Sequence, residues 1–228
     1  VYSLATETAC TTTCPLGISP QGYINLTKAG KLEEAYDLIW QKTPFPSVCS
    51  RICHHPCEQS CKRGILVDEP IAIRSIKRYL CETVTNKAKK YPQVFEEMVA
   101  IIGAGPAGLT AAHYLAQAGY AVTVFEGDAE AGGMLVRGIP AFRLPREVVR
   151  KEIADIEEAG IEIRVGQRIN KSDFEKMKKE YDAIIVAAGA SNSKELNITG
   201  RNMEGVMTSL DFMARVNNRS EERRVGKE

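Results

Sequence analysis

Apolar residues recur at helical spacing through the first third of the chain, then give way after residue 97 to short unbroken apolar runs. Residues 19–29 follow Pro15 as a short helix. Leu32, Ala35, Tyr36, Ile39 and Trp40 mark one face of the next helix, which Pro44 and Pro46 close. Asp68 reads as a helix cap with Pro70 in the first turn, ahead of a periodic run of Ile73, Ile76, Lys77, Leu80 and Val84. Residues 87–92 read as a polar linker.

From Met98 the period changes. Residues 98–102 predict a strand and 106–118 a small-residue helix with Gly119 as its stop; 121–125 predict a second strand. A helix over 145–159 ending at Gly160, an alternating strand over 161–165, a helix over 172–181 and a buried strand over 183–187 complete the pattern. Strands alternating with helices predict a parallel, doubly wound sheet. The fold class is therefore α/β: a small all-helical domain over residues 1–92, then a parallel-sheet Rossmann-type domain over 93–218, which reads as incomplete.

Bulk composition narrows the function classes. The 228 residues carry 30 Lys+Arg against 29 Asp+Glu, a net charge of +1, so no basic surface for nucleic acid or membrane is expected. No apolar run approaches a membrane span and no secretory signal precedes the first motif, which predicts a cytoplasmic protein. Both ends carry expectations of their own. The first residue is Val, and residues 219–228 resemble the in-frame translation of a sequencing adapter, so that stretch is expected to be non-native.

The second domain opens on Ile101-Ile102-Gly103-Ala104-Gly105-Pro106-Ala107-Gly108, flanked by strand and helix as a dinucleotide turn requires. Gly103 permits the tight turn, Gly105 lets backbone approach a pyrophosphate, and Gly108 lets helix and strand pack closely. The helix N-terminus from Pro106 and Ala107 offers free N–H groups. Glu126 ends the next strand, where an acid accepts hydrogen bonds from ribose hydroxyls and repels a 2′-phosphate. Gly132-Gly133-Met134 follows, and Ile184-Ile185-Val186-Ala187-Ala188-Gly189 resembles the strand-plus-glycine signature of two-dinucleotide flavoproteins, with Ala188 in place of the usual Thr. Together these favour FAD over NAD as the ligand. The alternative is a Rossmann fold that has lost its ligand.

All seven cysteines fall between residues 10 and 81. The pattern Cys10-x₃-Cys14-Pro15, then Cys49-x₃-Cys53-x₃-Cys57-x₃-Cys61, repeats thiols every four residues, a drift of about 40° per step on a helix. Pro56 forbids one straight helix, so the last pair must lie on a loop or a separate turn. An odd, clustered set beside a nucleotide fold points to thiolates used as metal ligands, an iron–sulfur cluster ahead of zinc.

Several strings now point to one family. Cys14-Pro15-Leu16-Gly17, Thr43-Pro44-Phe45-Pro46 and the run Val48-Cys49-Ser50-Arg51-Ile52-Cys53-His54-His55-Pro56-Cys57-Glu58 resemble the small subunit of glutamate synthase and the N-terminal half of dihydropyrimidine dehydrogenase. Asp68-Glu69-Pro70-Ile71-Ala72-Ile73-Arg74 and Gly138-Ile139-Pro140-Ala141-Phe142-Arg143-Leu144-Pro145 fit the same family. The resemblance implies two [4Fe–4S] clusters in the helical domain, then an FAD domain interrupted by an NAD(P)H domain. It implies that Cys10 and Cys61 share one cluster with an upstream pair not seen here, and that Cys14, Cys53 and Cys57 hold the other. Relatives take their fourth ligand from the position of Lys77, and an ammonium has no lone pair to give. Cys49 is the expected substitute and Cys81 the second choice.

The resemblance further implies electron transfer from NAD(P)H through FAD and the clusters to a catalytic partner subunit, in a hetero-oligomer. The fragment itself is expected to lack the NAD(P)H domain and to oxidise NAD(P)H poorly. Among residues outside the motifs, Arg143 is weighed evenly between the flavin site and an exposed loop. His54, His55 and His113 read as neighbours rather than ligands. A thioredoxin-reductase-like disulfide enzyme is the second reading, although no cysteine follows Cys81. A non-catalytic zinc-bearing assembly module is the third.

Overall fold

The computed structural model describes residues 8–85, 90–194 and 196–217. Half of the expected linker and the whole of the expected adapter tail lie outside them. The chain divides into two compact units, Val1–Lys87 and Ala88–Glu228.

The first unit is helical over its described residues: α1 (Ala9–Thr12), α2 (Pro20–Lys28), α3 (Leu32–Trp40), α4 (Pro46–Ile52), α5 (Pro56–Gln59), α6 (Lys62–Leu66) and α7 (Ile73–Thr83). Proline starts α2, α4 and α5, at the first helical position, whose N–H would have no intrahelical partner. The Ser19 hydroxyl caps α2 by accepting from Gly22 N–H at 3.2 Å. The face of α3 read from spacing is buried at Ala35, Tyr36, Ile39 and Trp40. These residues close on a core of Ile18, Tyr23, Ala35, Ile39, Ile73 and Leu80.

One expected cap is corrected. The last helix begins at Ile73 behind Ala72, not at Asp68. Asp68 instead accepts from Arg63 Nε at 2.7 Å and Nη2 at 2.8 Å, and from the next backbone N–H at 2.7 Å. It closes a turn there, because its nearest cation lies behind it in sequence.

The second unit contains β1 (Met98–Ile102), α8 (Pro106–Ala118), β2 (Ala121–Phe125), α9 (Met134–Arg137), α10 (Arg146–Glu158), β3 (Glu162–Arg164), α11 (Lys171–Glu180), β4 (Ala183–Val186) and α12 (Ser209–Asn217). The four strands form a parallel sheet in the order β3-β2-β1-β4. Ile101, Val124, Leu109 and Ala112 are fully buried where α8 lies against β1 and β2. Ala100, Phe125 and Met177 form a further buried cluster. The Asn170 capping box starts α11, and Gly119 ends α8 at φ 101°.

Two expectations change. The strand over 183–187 is an edge strand rather than a buried one, with Ile185 36% and Val186 65% exposed, because the described sheet ends with it. The polar linker also stops short. Tyr91 N–H donates to Ala159 O at 3.1 Å, and Val94 and Phe95 N–H both donate to Gly119 O. Phe95 stacks on Tyr120 with ring centroids 4.7 Å apart, so this stretch docks on the second unit through its apolar residues.

Leu80→Ala should destabilise the first unit by about 2–5 kcal/mol, since Leu80 is fully buried. Val186→Ala should change stability by about 0.5 kcal/mol or less, as expected at an exposed position. Urea unfolding of both variants checks the contrast.

Candidate functional site

The strand order places a switch point between β1 and β4, since the chain leaves β1 for β2 on one side and returns to β4 on the other. Ligands of open parallel sheets bind beyond the carboxyl ends of the strands at such a point. A cleft of about 230 Å³ opens there, lined by Gly103, Gly105, Pro106, Ala107, Glu126, Gly133, Met134, Ala188 and Gly189 among others. That volume is small beside pockets of roughly 300–1,000 Å³ that enclose whole ligands, so the cleft suits one part of a dinucleotide.

The turn after β1 is held by three strand ends. Gly103 N–H donates to Phe125 O at 2.7 Å, and Ala187 N–H donates to Ile102 O at 2.8 Å. Gly103 stands at φ +108°, and a Cβ on it would strike the Ala187 carbonyl oxygen. A Cβ on Gly105 would meet nothing within 4 Å. Nothing in the protein requires glycine at that position, and the space left over belongs to the cleft. The first helical bond of α8 runs from Leu109 N–H to Gly105 O at 3.0 Å, which leaves the N–H groups of Ala107 and Gly108 ahead of the ladder. Those two donors and the helix dipole fit a pyrophosphate.

Glu126 is held by both carboxylate oxygens. Oε2 accepts from Ala104 N–H and Oε1 from Asp128 N–H, each at 2.9 Å. A carboxylate has about four acceptor directions, so each oxygen keeps capacity for a ribose hydroxyl. Gly132 N–H donates to Ala104 O at 2.8 Å, and Gly133 packs against Gly105, which brings the second glycine pair onto the first. FAD therefore fits the residues present.

Of the dinucleotide residues expected from sequence, Arg143 is exposed and outside the lining of the cleft. The cleft instead draws in Asp128, Arg137, Gln167 and Arg168, which sequence reading missed. Asp128 accepts from Arg137 Nη1 at 3.2 Å and from Arg168 Nη2 at 3.5 Å. The available signal was position: Gln167 and Arg168 follow β3, whose carboxyl end points toward the same crevice.

In the first unit the four-residue cysteine spacing does not produce one helical face. Cys49 lies in α4, Cys53 caps its C-terminus, Cys57 lies in α5, and Cys61 caps the N-terminus of α6. Pro56 makes that break, as the sequence requires. Cys10, Cys14 and Cys57 pack against the core around Tyr23. Burial pushes the Cys57 thiol up; Lys77 opposes that shift, while Cys14, Glu58 and Cys53 add to it. Burial likewise raises the Tyr23 phenol, reinforced by Cys57, Cys14, Cys10 and Glu58. Burial is the main cause of both shifts, and the neighbouring charges that modify the Cys57 shift place Cys14, Cys53, Cys57 and Lys77 in one neighbourhood.

Backbone N–H groups turn toward the sulfurs. His55 N–H donates to Cys53 Sγ at 3.3 Å, and His55 is the one described non-glycine residue with positive φ, at 49°. Burial would raise the Cys61 thiol, but N–H groups of Ile71, Gly64 and Arg63 outweigh it and bring it below its ordinary value. All seven cysteines are free. Among the described residues no three His, Cys, Asp or Glu side chains gather closely enough to hold one metal ion. A four-iron cluster binds each thiolate through a different iron, and the soft, N–H-solvated donor set fits that chemistry.

The model of dihydropyrimidine dehydrogenase domain II, 4Fe-4S cluster, matches residues 4–89. The pyridine nucleotide-disulphide oxidoreductase model matches residues 97–225. The NADP(+)-dependent formate dehydrogenase subunit beta of Moorella thermoacetica is 35% identical over 236 residues, 91% of this chain and 33% of that protein. The NADPH-Fe(3+) oxidoreductase subunit beta of Geobacter sulfurreducens is 39% identical over 199 residues, 84% of this chain and 29% of that one. The glutamate synthase (NADPH) small chain of Mycobacterium tuberculosis is 32% identical over 209 residues, 90% and 43%. The chain thus spans between 29% and 43% of these relatives' lengths.

Gly105→Ala should leave thermal unfolding of the apo-protein within about a degree or two of the parent yet lower bound dinucleotide, whereas Gly103→Ala should lose both apo-protein stability and dinucleotide. Calorimetry and absorbance of the released cofactor distinguish the two outcomes.

Proposed function

The chain belongs to the pyridine nucleotide-disulphide oxidoreductase family, and from that premise we propose that it is the electron-transferring part of an NAD(P)H oxidoreductase of the glutamate synthase small-subunit type. The observation that carries the reading is the joining, in one chain, of the Gly103 cleft and a unit of neighbouring free thiols. When bound, FAD converts an electron pair into single electrons and [4Fe–4S] clusters carry them one at a time.

The residues divide the work of holding these groups. Gly105, Pro106, Ala107 and Gly108 receive the pyrophosphate at the start of α8, and Glu126 accepts the ribose hydroxyls. Gly133 and Met134 close one side of the cleft, with Gly132 tied to Ala104 behind them, and Ala188 and Gly189 flank the other. Cys14, Cys53 and Cys57 hold one cluster, with Cys49 as its fourth thiol; Cys10 and Cys61 serve the other. Hydrogen bonds from His55 and from the backbone around Cys61 solvate the sulfurs and set their electron affinity.

NADPH is the reductant, in keeping with the names of the relatives, and a second subunit receives the electrons, as the terms subunit beta and small chain imply for those proteins. Among the described residues no helix is long and apolar enough to cross a membrane. Free thiols in this number suit the reducing cytoplasm.

The full-length protein purified anaerobically should contain FAD, iron and acid-labile sulfide, and should pass electrons from NADPH to a one-electron acceptor. Cys53→Ser and Cys57→Ser should each lose one cluster's iron while keeping the flavin, and Cys49→Ser should do the same. Unchanged iron in the last would remove Cys49 from the ligand set. Zinc without iron or flavin would replace this reading with the assembly module.

A further inference from the structure

Lys77 stands where a lysine is least expected. The buried residues of α7 are Ile73, Lys77 and Leu80, one stripe of the helix, and Lys77 is only 8% exposed. Ile73 and Leu80 on either side of it belong to the core against which Cys10, Cys14 and Cys57 pack. The other charged residues of α7 are more exposed and engaged elsewhere. Arg74 Nη1 donates to Cys53 O at 2.9 Å, and Arg78 Nε donates to Glu82 Oε1 at 2.8 Å.

A buried ammonium is costly unless an opposite charge meets it, and an apolar replacement of similar length at such a position is often neutral or stabilising. Stability therefore does not account for Lys77. Among the described residues no carboxylate forms an ion pair with it. Cys57 lies in α5, which packs against α7, and Lys77 lowers its thiol while Cys14, Glu58 and Cys53 raise it.

We propose that Lys77 is the fixed counter-charge of the Cys14/Cys53/Cys57 site: it helps retain the cluster bound there and favours the form of that cluster carrying one more electron. This rests on the reading that those thiols hold an iron–sulfur cluster. Three or four thiolates on a cluster leave net negative charge, and one-electron reduction adds another. A cation held in a low-dielectric core stabilises the reduced form more than the oxidised one, so it raises the midpoint potential. Lys77 acts here as a positioning charge and donates no bond to iron.

The test compares Lys77→Met and Lys77→Arg with the parent in the full-length protein, purified anaerobically. It measures iron and sulfide per chain, their loss to a chelator, the midpoint of each cluster by redox titration with EPR, and unfolding of the apo-protein. Lys77→Met should unfold at the same temperature or higher as apo-protein, yet lose iron from one cluster faster, with its midpoint moved to more negative potential. Lys77→Arg should restore both. Equal iron retention and equal midpoints in Lys77→Met and the parent would overturn the proposal. So would lower apo-protein stability in Lys77→Met with both cluster readouts unchanged. A parent protein that takes up no iron or sulfide ends the underlying cluster reading instead, a result recognisably different because it appears before any substitution is made.

Discussion

Three strand ends share one turn. The hydrogen bonds from Gly103 to Phe125 and from Ala187 to Ile102 draw β1, β2 and β4 together at their carboxyl ends. The approach is so close that the Ala187 carbonyl occupies the space a side chain on Gly103 would need. The cleft follows from that constraint. With the strand ends fixed, α8 starts beside them with N–H groups outside its ladder, and Ala104 presents its own N–H to Glu126 and its carbonyl to Gly132. The same few backbone contacts therefore hold the sheet, orient the acid and fold the second glycine pair onto the first.

This explains what could be read in advance. The strand, turn, helix and following acid are local in sequence, each with its own period or turn residue, so β1, α8, β2 and the placement of Glu126 were legible. Arg137, Gln167 and Arg168 were not, because their place at the cleft depends on how α9 and the loop after β3 return to it. Arg143 lay in a motif and still stands on the surface. The apolar run of β4 reads alike for an interior strand and an edge, and only the pairing order decides between them. At Tyr91, Val94 and Phe95, three large apolar side chains among polar neighbours were the overlooked sign that the stretch docks.

The helical unit shows how spacing and punctuation combine. Thiols every four residues would share one helical face on an unbroken helix, but Pro56 forbids one, and proline begins both α4 and α5. Two of the cysteines consequently fall at helix ends. Cys61 opens α6, where backbone N–H groups are free to meet a sulfur, and Cys53 closes α4, where the His55 N–H beyond the helix reaches its sulfur. The spacing records where helices are punctuated. Departures from ordinary local preference gather at the same place: a left-handed histidine beside Cys53 and a lysine in the buried stripe of α7. Sequence rules fail together where a binding site asks for something other than stability.

The two units meet different electrostatic demands, which the balanced total charge conceals. A pyrophosphate keeps its charge through a redox cycle, so neutral N–H donors and a helix dipole at the start of α8 suffice to hold it. Glu126 can then be spared to accept ribose hydroxyls, while the two arginines that line the cleft, Arg137 and Arg168, engage Asp128. A thiolate-bound cluster differs, because its charge changes by one electron at each turnover. Hydrogen bonds to the sulfurs tune the balance between its two states, and a fixed full charge held in an apolar core shifts it further. A near-neutral chain can satisfy both demands provided a buried cation in the helical unit lies near the thiols, and among the described residues of that unit Lys77 is the one buried cation.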